Sequence, residues 1–305
     1  MDKDFINRLE RIDKLPTLPV VIRKLDEAVE DPDYDIKEVT GIIQDDPAIM
    51  ARILKVANSV FYTTETRISD LRTAVMTLGL RSVHNIALST AVFSTFPPNT
   101  GTKMDRAAFW KHSIYTAVAT EVLSNYAVSQ ENSGYRRDEL HLAGLMHDIG
   151  KIVLEQFFHR EFAQALELSR EEGIPLHLAE NRIFGADHTQ VGAWLGSKWN
   201  LSREILETVQ WHHHPEGAES TFRHLVGICH VANHLSNSQG LGNGGDYASS
   251  LKETGFSDIG VSPGDVQDIV EKTRLESDKS QILLEMVSQE DSRRNPPTHA
   301  ASNSF

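Results

Sequence analysis

Fourteen histidines stand among 305 residues, and five of them fall on the inward side of helical patterns. In LHLAGLMHDIGKIVLEQF, apolar residues at 142, 145, 146, 149, 152 and 153 keep a helical period, and His147 and Asp148 lie inside that stripe. Neighbours on a helix diverge by about 100°, so both side chains can reach one pocket. In SREILETVQWHHHPEG, His213 follows Val209 by four and Leu206 by seven, and His212 follows Ile205 by seven. Both share the apolar face, whereas His214, beside Pro215, is expected at the helix end in solvent. Asp187 can cap a helix that starts at His188, on the face of Val191 and Leu195. His112 sits in FWKHSIYTAVAT on the side of Tyr115, Thr116 and Ala119, which leave room beside it.

An ionised Asp148 in that environment is costly without a partner, and a metal ion is a good one. A mixture of imidazole and carboxylate suits iron, manganese, zinc or nickel rather than calcium or magnesium. Lys151, one turn past Asp148, can neutralise the carboxylate or hold a phosphate. Any one of these histidines taken singly reads more readily as a hydrogen-bonded core or surface residue, and an adjacent His-Asp pair is common by chance. The metal reading rests on the whole set: His112, His147-Asp148, His188 and His212-His213, aimed inward from separate helices. His84, His141, His159, His177, His224, His230, His234 and His299 read as structural or solvated. Cys229 reads as a small buried hydrophobe.

The elements that must position this set are helices, because no stretch alternates with a period of two. Val39, Ile42 and Ile43 precede a break at Asp45-Asp46-Pro47, and Ile49, Ile53, Leu54 and Ala57 continue on a second helix. Asp70 offers a cap before Leu71, Val75 and Leu78, and Gly79 permits a left-handed cap at the far end. Two prolines and a glycine in Phe96–Gly101 mark the best internal boundary. The expected organisation is all-α in two helical lobes: an N-terminal lobe over 1–98 and a metal-pocket lobe over 99–235. A Gly/Asn/Ser-rich flexible loop from Ser236 to Tyr247 and C-terminal helices reaching to 288 follow, then a disordered tail over 289–305.

Thirty Lys and Arg against 43 Asp and Glu give a net charge of −13, which disfavours nucleic acid and anionic membrane as partners. A single cysteine excludes an intrachain disulfide framework and fits a reducing compartment. The N-terminal MDKDFINRLERIDKL has no apolar signal core, and no apolar run nears the roughly 20 residues a bilayer span needs. A cytoplasmic location is the expectation.

The series His112, His147-Asp148-Ile149-Gly150-Lys151, His188, His212-His213 resembles the HD superfamily of metal-dependent phosphohydrolases, nearest the branch with the HD-GYP cyclic-di-GMP phosphodiesterases. Four N-terminal blocks are similar to the HDOD pattern: Leu15-Pro16-Thr17-Leu18-Pro19, Asp45-Asp46-Pro47-Ala48, Ala57-Asn58-Ser59-Val60-Phe61-Tyr62 and Ala74-Val75-Met76-Thr77-Leu78-Gly79. That resemblance covers about residues 10 to 235. It implies an HD-like C-terminal lobe, bacterial signal transduction, and iron as the first metal, with zinc, manganese or nickel as alternatives. The implied partner is a signalling protein or a small phosphorylated ligand.

The departures bear on activity. HD hydrolases carry a late aspartate in a stretch resembling Val-Ala-Asp, where VANHL here has Asn233, an amide that can coordinate but brings no charge. The Gly-Tyr-Pro signature after the paired histidines is missing, and an acidic residue that some relatives carry one turn before the first histidine is Ala108 here. The leading expectation is a regulatory or scaffolding protein whose pocket holds a metal or small ligand. The alternative is a metal-dependent phosphohydrolase acting on a nucleotide, with the ions held by the five histidines, Asp148 and Asn233, and Lys151 offsetting the phosphate charge.

Overall fold

The computed structural model describes residues 3–12, 15–17, 20–21, 24–25, 36–58, 67–96, 104–127, 137–246, 248 and 255–278, and among them all regular structure is helical. Pro97-Pro98, the Leu18-Pro19 and Ser59–Tyr62 parts of the N-terminal motifs, and the tail over 289–305 lie outside the described residues. No described helix is long and apolar enough to cross a membrane.

The first block holds α1 (Lys3–Glu10), α2 (Ile36–Gln44), α3 (Pro47–Ala57), α4 (Leu71–Leu78) and α5 (Leu80–Thr95). Its breaks fall where the side chains dictate. Proline opens α3, and the Asp46 carboxylate accepts from the Ile49 amide at 3.1 Å, meeting one of the donors a helix start leaves unpaired. Asp70 caps α4 by accepting from Thr73 N. Gly79 does not take the expected left-handed helical conformation: its φ of 80° and ψ of 149° join α4 directly to α5. Asn58 clamps the chain after α3, donating to the carbonyls of Leu54 and Ile68 and accepting from Ile68 N.

The second block begins with α6 (Arg106–Ser124), α7 (Arg137–Met146), α8 (Ile149–Phe157) and α9 (His159–Glu172). It continues with α10 (Leu176–Phe184), α11 (His188–Lys198), α12 (Arg203–Trp211) and α13 (Arg223–Ser238). A short α14 (Gly255–Asp258) and a helix over 263–278 follow. Helix α6 is buried on nearly every side, as its weak amphipathicity requires. One side contributes Phe109, Trp110 and Ile114 to a large core running from Phe5 to Val209. The other contributes Tyr115, Val118 and Val122 to a smaller core with α13, Ile259, Val261 and Ile269. Helix α1 rests on the second block through Phe5, whose ring lies 5.2 Å from Phe158 and 5.3 Å from Phe184.

The continuous helix expected over 142–153 is broken. Helix α7 ends at Met146, His147 and Asp148 form a turn, and α8 starts at Ile149. Asp148 sits at φ −100°, ψ 7°, a sparsely used backbone region frequent at functional positions. The break falls at the two residues whose side chains meet in one pocket. Helix α12 likewise stops at Trp211, so His212 occupies its C-cap and His213 the turn beyond.

Gly150 then sets how closely α8 meets α11: a Cβ there would stand 1.9 Å from the carbonyl oxygen of His188. That atom belongs to a helix backbone and cannot swing away. Gly150→Ala is therefore expected to destabilise the fold by about 3 kcal/mol, the upper range for overpacking, measured by denaturant unfolding. A loss below about 0.5 kcal/mol, the size of an ordinary surface change, would show that the two helices are free to separate.

Candidate metal centre

Asp148 is the hub. On its Oδ2 side stand His112 Nε2 and His147 Nε2, each 3.3 Å away, and on its Oδ1 side His188 Nε2 at 3.2 Å and His212 Nε2 at 3.6 Å. His213 joins the second side through His188, Nε2 to Nε2 at 3.0 Å, while His112 and His147 meet Nε2 to Nε2 at 3.2 Å. The ligand atoms fall into two groups, His112–His147–Asp148 and Asp148–His188–His212–His213, each within 4.8 Å. All are fully buried except His213, which is partly exposed.

The second nitrogens explain which way the rings present. His147 Nδ1 donates to the Gly144 carbonyl at 2.7 Å, and His212 Nδ1 donates to Val209 O at 3.0 Å. With Nδ1 so engaged, each ring presents Nε2 to the other rings and the carboxylate. His112 Nδ1 meets Ser236 Oγ at 2.8 Å, and His188 Nδ1 meets the buried Glu180 carboxylate at 2.6 Å. Asp148 Oδ1 and His212 Nε2 have no well-aligned hydrogen-bond partner. A buried group left in that condition costs about 1–3 kcal/mol, and two meet here. A transition metal bound by such a set contributes on the order of 10 kcal/mol, so the donor set fits an ion far better than an empty pocket.

The charges agree. Burial holds His112 below its usual range, His212 down to about 3, and His213 well below ordinary imidazole values, so these three rings are neutral and could take an ion without first losing a proton. Burial opposes the Asp148 charge, yet His147 and Lys151 outweigh it and keep the carboxyl well below its usual value. His188 is the exception: against its burial, Glu180 raises it to about 10, so an ion must displace a proton there.

Lys151 is fully buried and donates to Asp148 Oδ2 and to Asp246 Oδ2, both at 2.8 Å. Asn233 is 5% exposed, and its amide oxygen accepts from Asn237 Nδ2 one turn on. It faces a cleft of about 760 Å³ that also bears His213, Asp246, Arg223 and four histidines expected to be structural or solvated: His177, His224, His230 and His234. His214, 61% exposed, stands at its rim as expected.

Three partners escape a reading of motifs. Ser236 lies on the last turn of α13, and Asp246 in a Gly/Asn loop whose composition carries no signal. Glu180 did leave one: it follows Leu176 by four and precedes Phe184 by four, which places it on the buried face of α10. A carboxylate on a ligand's second nitrogen orients the ring and raises its basicity. Glu180→Gln, which keeps the shape, is expected to weaken zinc binding by about 10- to 100-fold in calorimetric titration. An unchanged affinity would make Glu180 a packing residue only.

The HDOD domain model matches residues 15–215. An uncharacterized protein of Treponema pallidum (strain Nichols) is 25% identical over 224 residues; the match takes in 73% of this chain and 42% of that relative's length. A solved HDOD domain protein of unknown function from Geobacter sulfurreducens superposes with a TM-score of 0.70 at 25% identity, covering 95% of this chain and 96% of that one. A Shewanella amazonensis SB2B structure, provisionally assigned as a metal-dependent phosphohydrolase, gives 0.57 at 25% identity over 92% and 98%. With the HDOD pattern spanning most of the helices that carry these histidines, the chain belongs to the HDOD domain family.

Proposed function

We propose that the protein is a regulatory component of bacterial signal transduction whose buried centre holds one or two transition-metal ions, iron first and zinc, manganese or nickel as alternatives. The observation that carries this is Asp148, bracketed by two sets of imidazole Nε2 atoms that face it and one another. Asp148 is then the ligand shared by both positions, and the neutral Asn233 leaves the second without added negative charge. The partner is a signalling protein or a small phosphorylated ligand entering by the cleft, in the cytoplasm.

A second reading, hydrolysis of a nucleotide phosphoester, draws on that cleft and on the provisional assignment of the Shewanella relative. Bound ions there would supply Lewis-acid polarisation of water and phosphate. The chain's own residues would do the rest: His112, His147, His188, His212 and His213 hold the centre, and Lys151 neutralises phosphate charge. Lys151 is already held between two carboxylates, which favours the regulatory reading.

Elemental analysis of purified protein is expected to find about one tightly held ion per chain, lost in the double variant His147→Ala with Asp148→Ala. Turnover of bis(p-nitrophenyl) phosphate is expected to be absent, and Asn233→Asp to raise occupancy of the second position. Turnover by the parent protein that vanishes in the double variant would establish the hydrolase instead. A protein free of metal in every preparation would overturn both.

A further inference from the structure

The loop after α13 does not run free over the surface. Asn243 N donates to the Ala108 carbonyl at 3.1 Å, and Gly245 N donates to the Asn243 side chain at 2.7 Å. Between them Gly244 lies on the centre itself: a Cβ there would stand 2.9 Å from Asp148 Oδ2, 3.1 Å from His112 Cδ2 and 3.2 Å from Lys151 Nζ. The loop ends in Asp246, which spends one oxygen on Lys151 at 2.8 Å and the other on Leu176 N, the first amide of α10, at 3.1 Å. Those are a buried ammonium and a helix N-terminus, the two kinds of donor that bind a phosphate group. Asp246 also faces the cleft, whereas Lys151 is wholly buried behind it. An anion in the cleft therefore meets Asp246 before it meets the lysine.

We propose that residues 241–246 form an internal plug, with the Asp246 carboxylate occupying the place of a ligand's phosphate group and released when such a group binds. The proposal rests on the reading of the pocket as a ligand-responsive site and adds its regulation. The plug shields Lys151, and with it the Oδ2 side of the centre, until an oxyanion of sufficient charge takes over the lysine and the α10 amide. Asp148 stays paired with Lys151 in either state, so the exchange swaps one anion for another. That balance lets a modest ligand affinity move the loop, because only the difference between the two anions acts on the equilibrium.

The test uses the full chain and inorganic phosphate, with chloride at matched ionic strength as control. Phosphate is expected to speed amide hydrogen exchange in peptides covering 241–246 of the parent protein. Asp246→Asn is expected to bind phosphate about tenfold tighter in calorimetry, a typical size for removal of a competing contact. Adding Lys151→Gln to that variant should abolish the gain. Gly244→Ala, which pushes the loop off Asp148 with the Asp246 carboxylate intact, should also tighten binding, and serves if Asp246→Asn does not fold. Equal or weaker binding by the variants, with no change in exchange, overturns the plug. Metal content measured on the same samples keeps the two ideas apart. Full occupancy without a phosphate response sinks the plug alone, and a phosphate response in metal-free protein sinks the metal centre alone.

Discussion

A carboxylate without water must be balanced by charge from every side, and Asp148 is that group here. Its burial alone would protonate it, and a neutral carboxyl would make a poor anchor for any cation. Lys151 and the surrounding rings keep it ionised. The consequence spreads outward: each ring must be oriented by its second nitrogen, each orienting group must be fixed by its helix, and the helices must approach closely enough for four rings to surround one carboxylate and a fifth to join through His188. Gly150 at the α8–α11 contact and the turn at His147-Asp148 are consequences of that demand as much as features of a helical fold.

Much of this was legible in the amino-acid order. The 3.6-residue spacing identifies the helices, and Asp46, Asp70 and Asp187 mark their starts because a carboxylate there answers unpaired amides. All five inward histidines do converge. What the order hid is discontinuity: a helical period over 142–153 reads the same whether or not two residues in its middle unwind. The break is decided by what His147 and Asp148 gain from each other's neighbourhood, which no local window contains.

The supporting groups were hidden for a related reason. Ser236 and Asp246 act on residues 124 and 95 positions away. A glycine- and asparagine-rich stretch reads as loose linker because its composition speaks only of backbone freedom, and nothing in it announces that Ala108 and Lys151 wait to receive it. The cleft histidines each lie on a partly polar face, and only tertiary packing lines them up along one cleft.

Farther from the centre, Arg106 opens α6 by reaching the Phe96 carbonyl at 3.1 Å, Gln156 at 2.6 Å and the Glu155 carboxylate, with Arg106 and Glu155 both nearly inaccessible. Loss of one partner of such a pair costs about 3–5 kcal/mol, whereas loss of both together can be neutral. Positions 106 and 155 are therefore constrained in descent as well as in space. In a lineage whose members share about a quarter of their residues with this chain, substitution at one strands the other, so viable histories change the two as a unit or leave both alone.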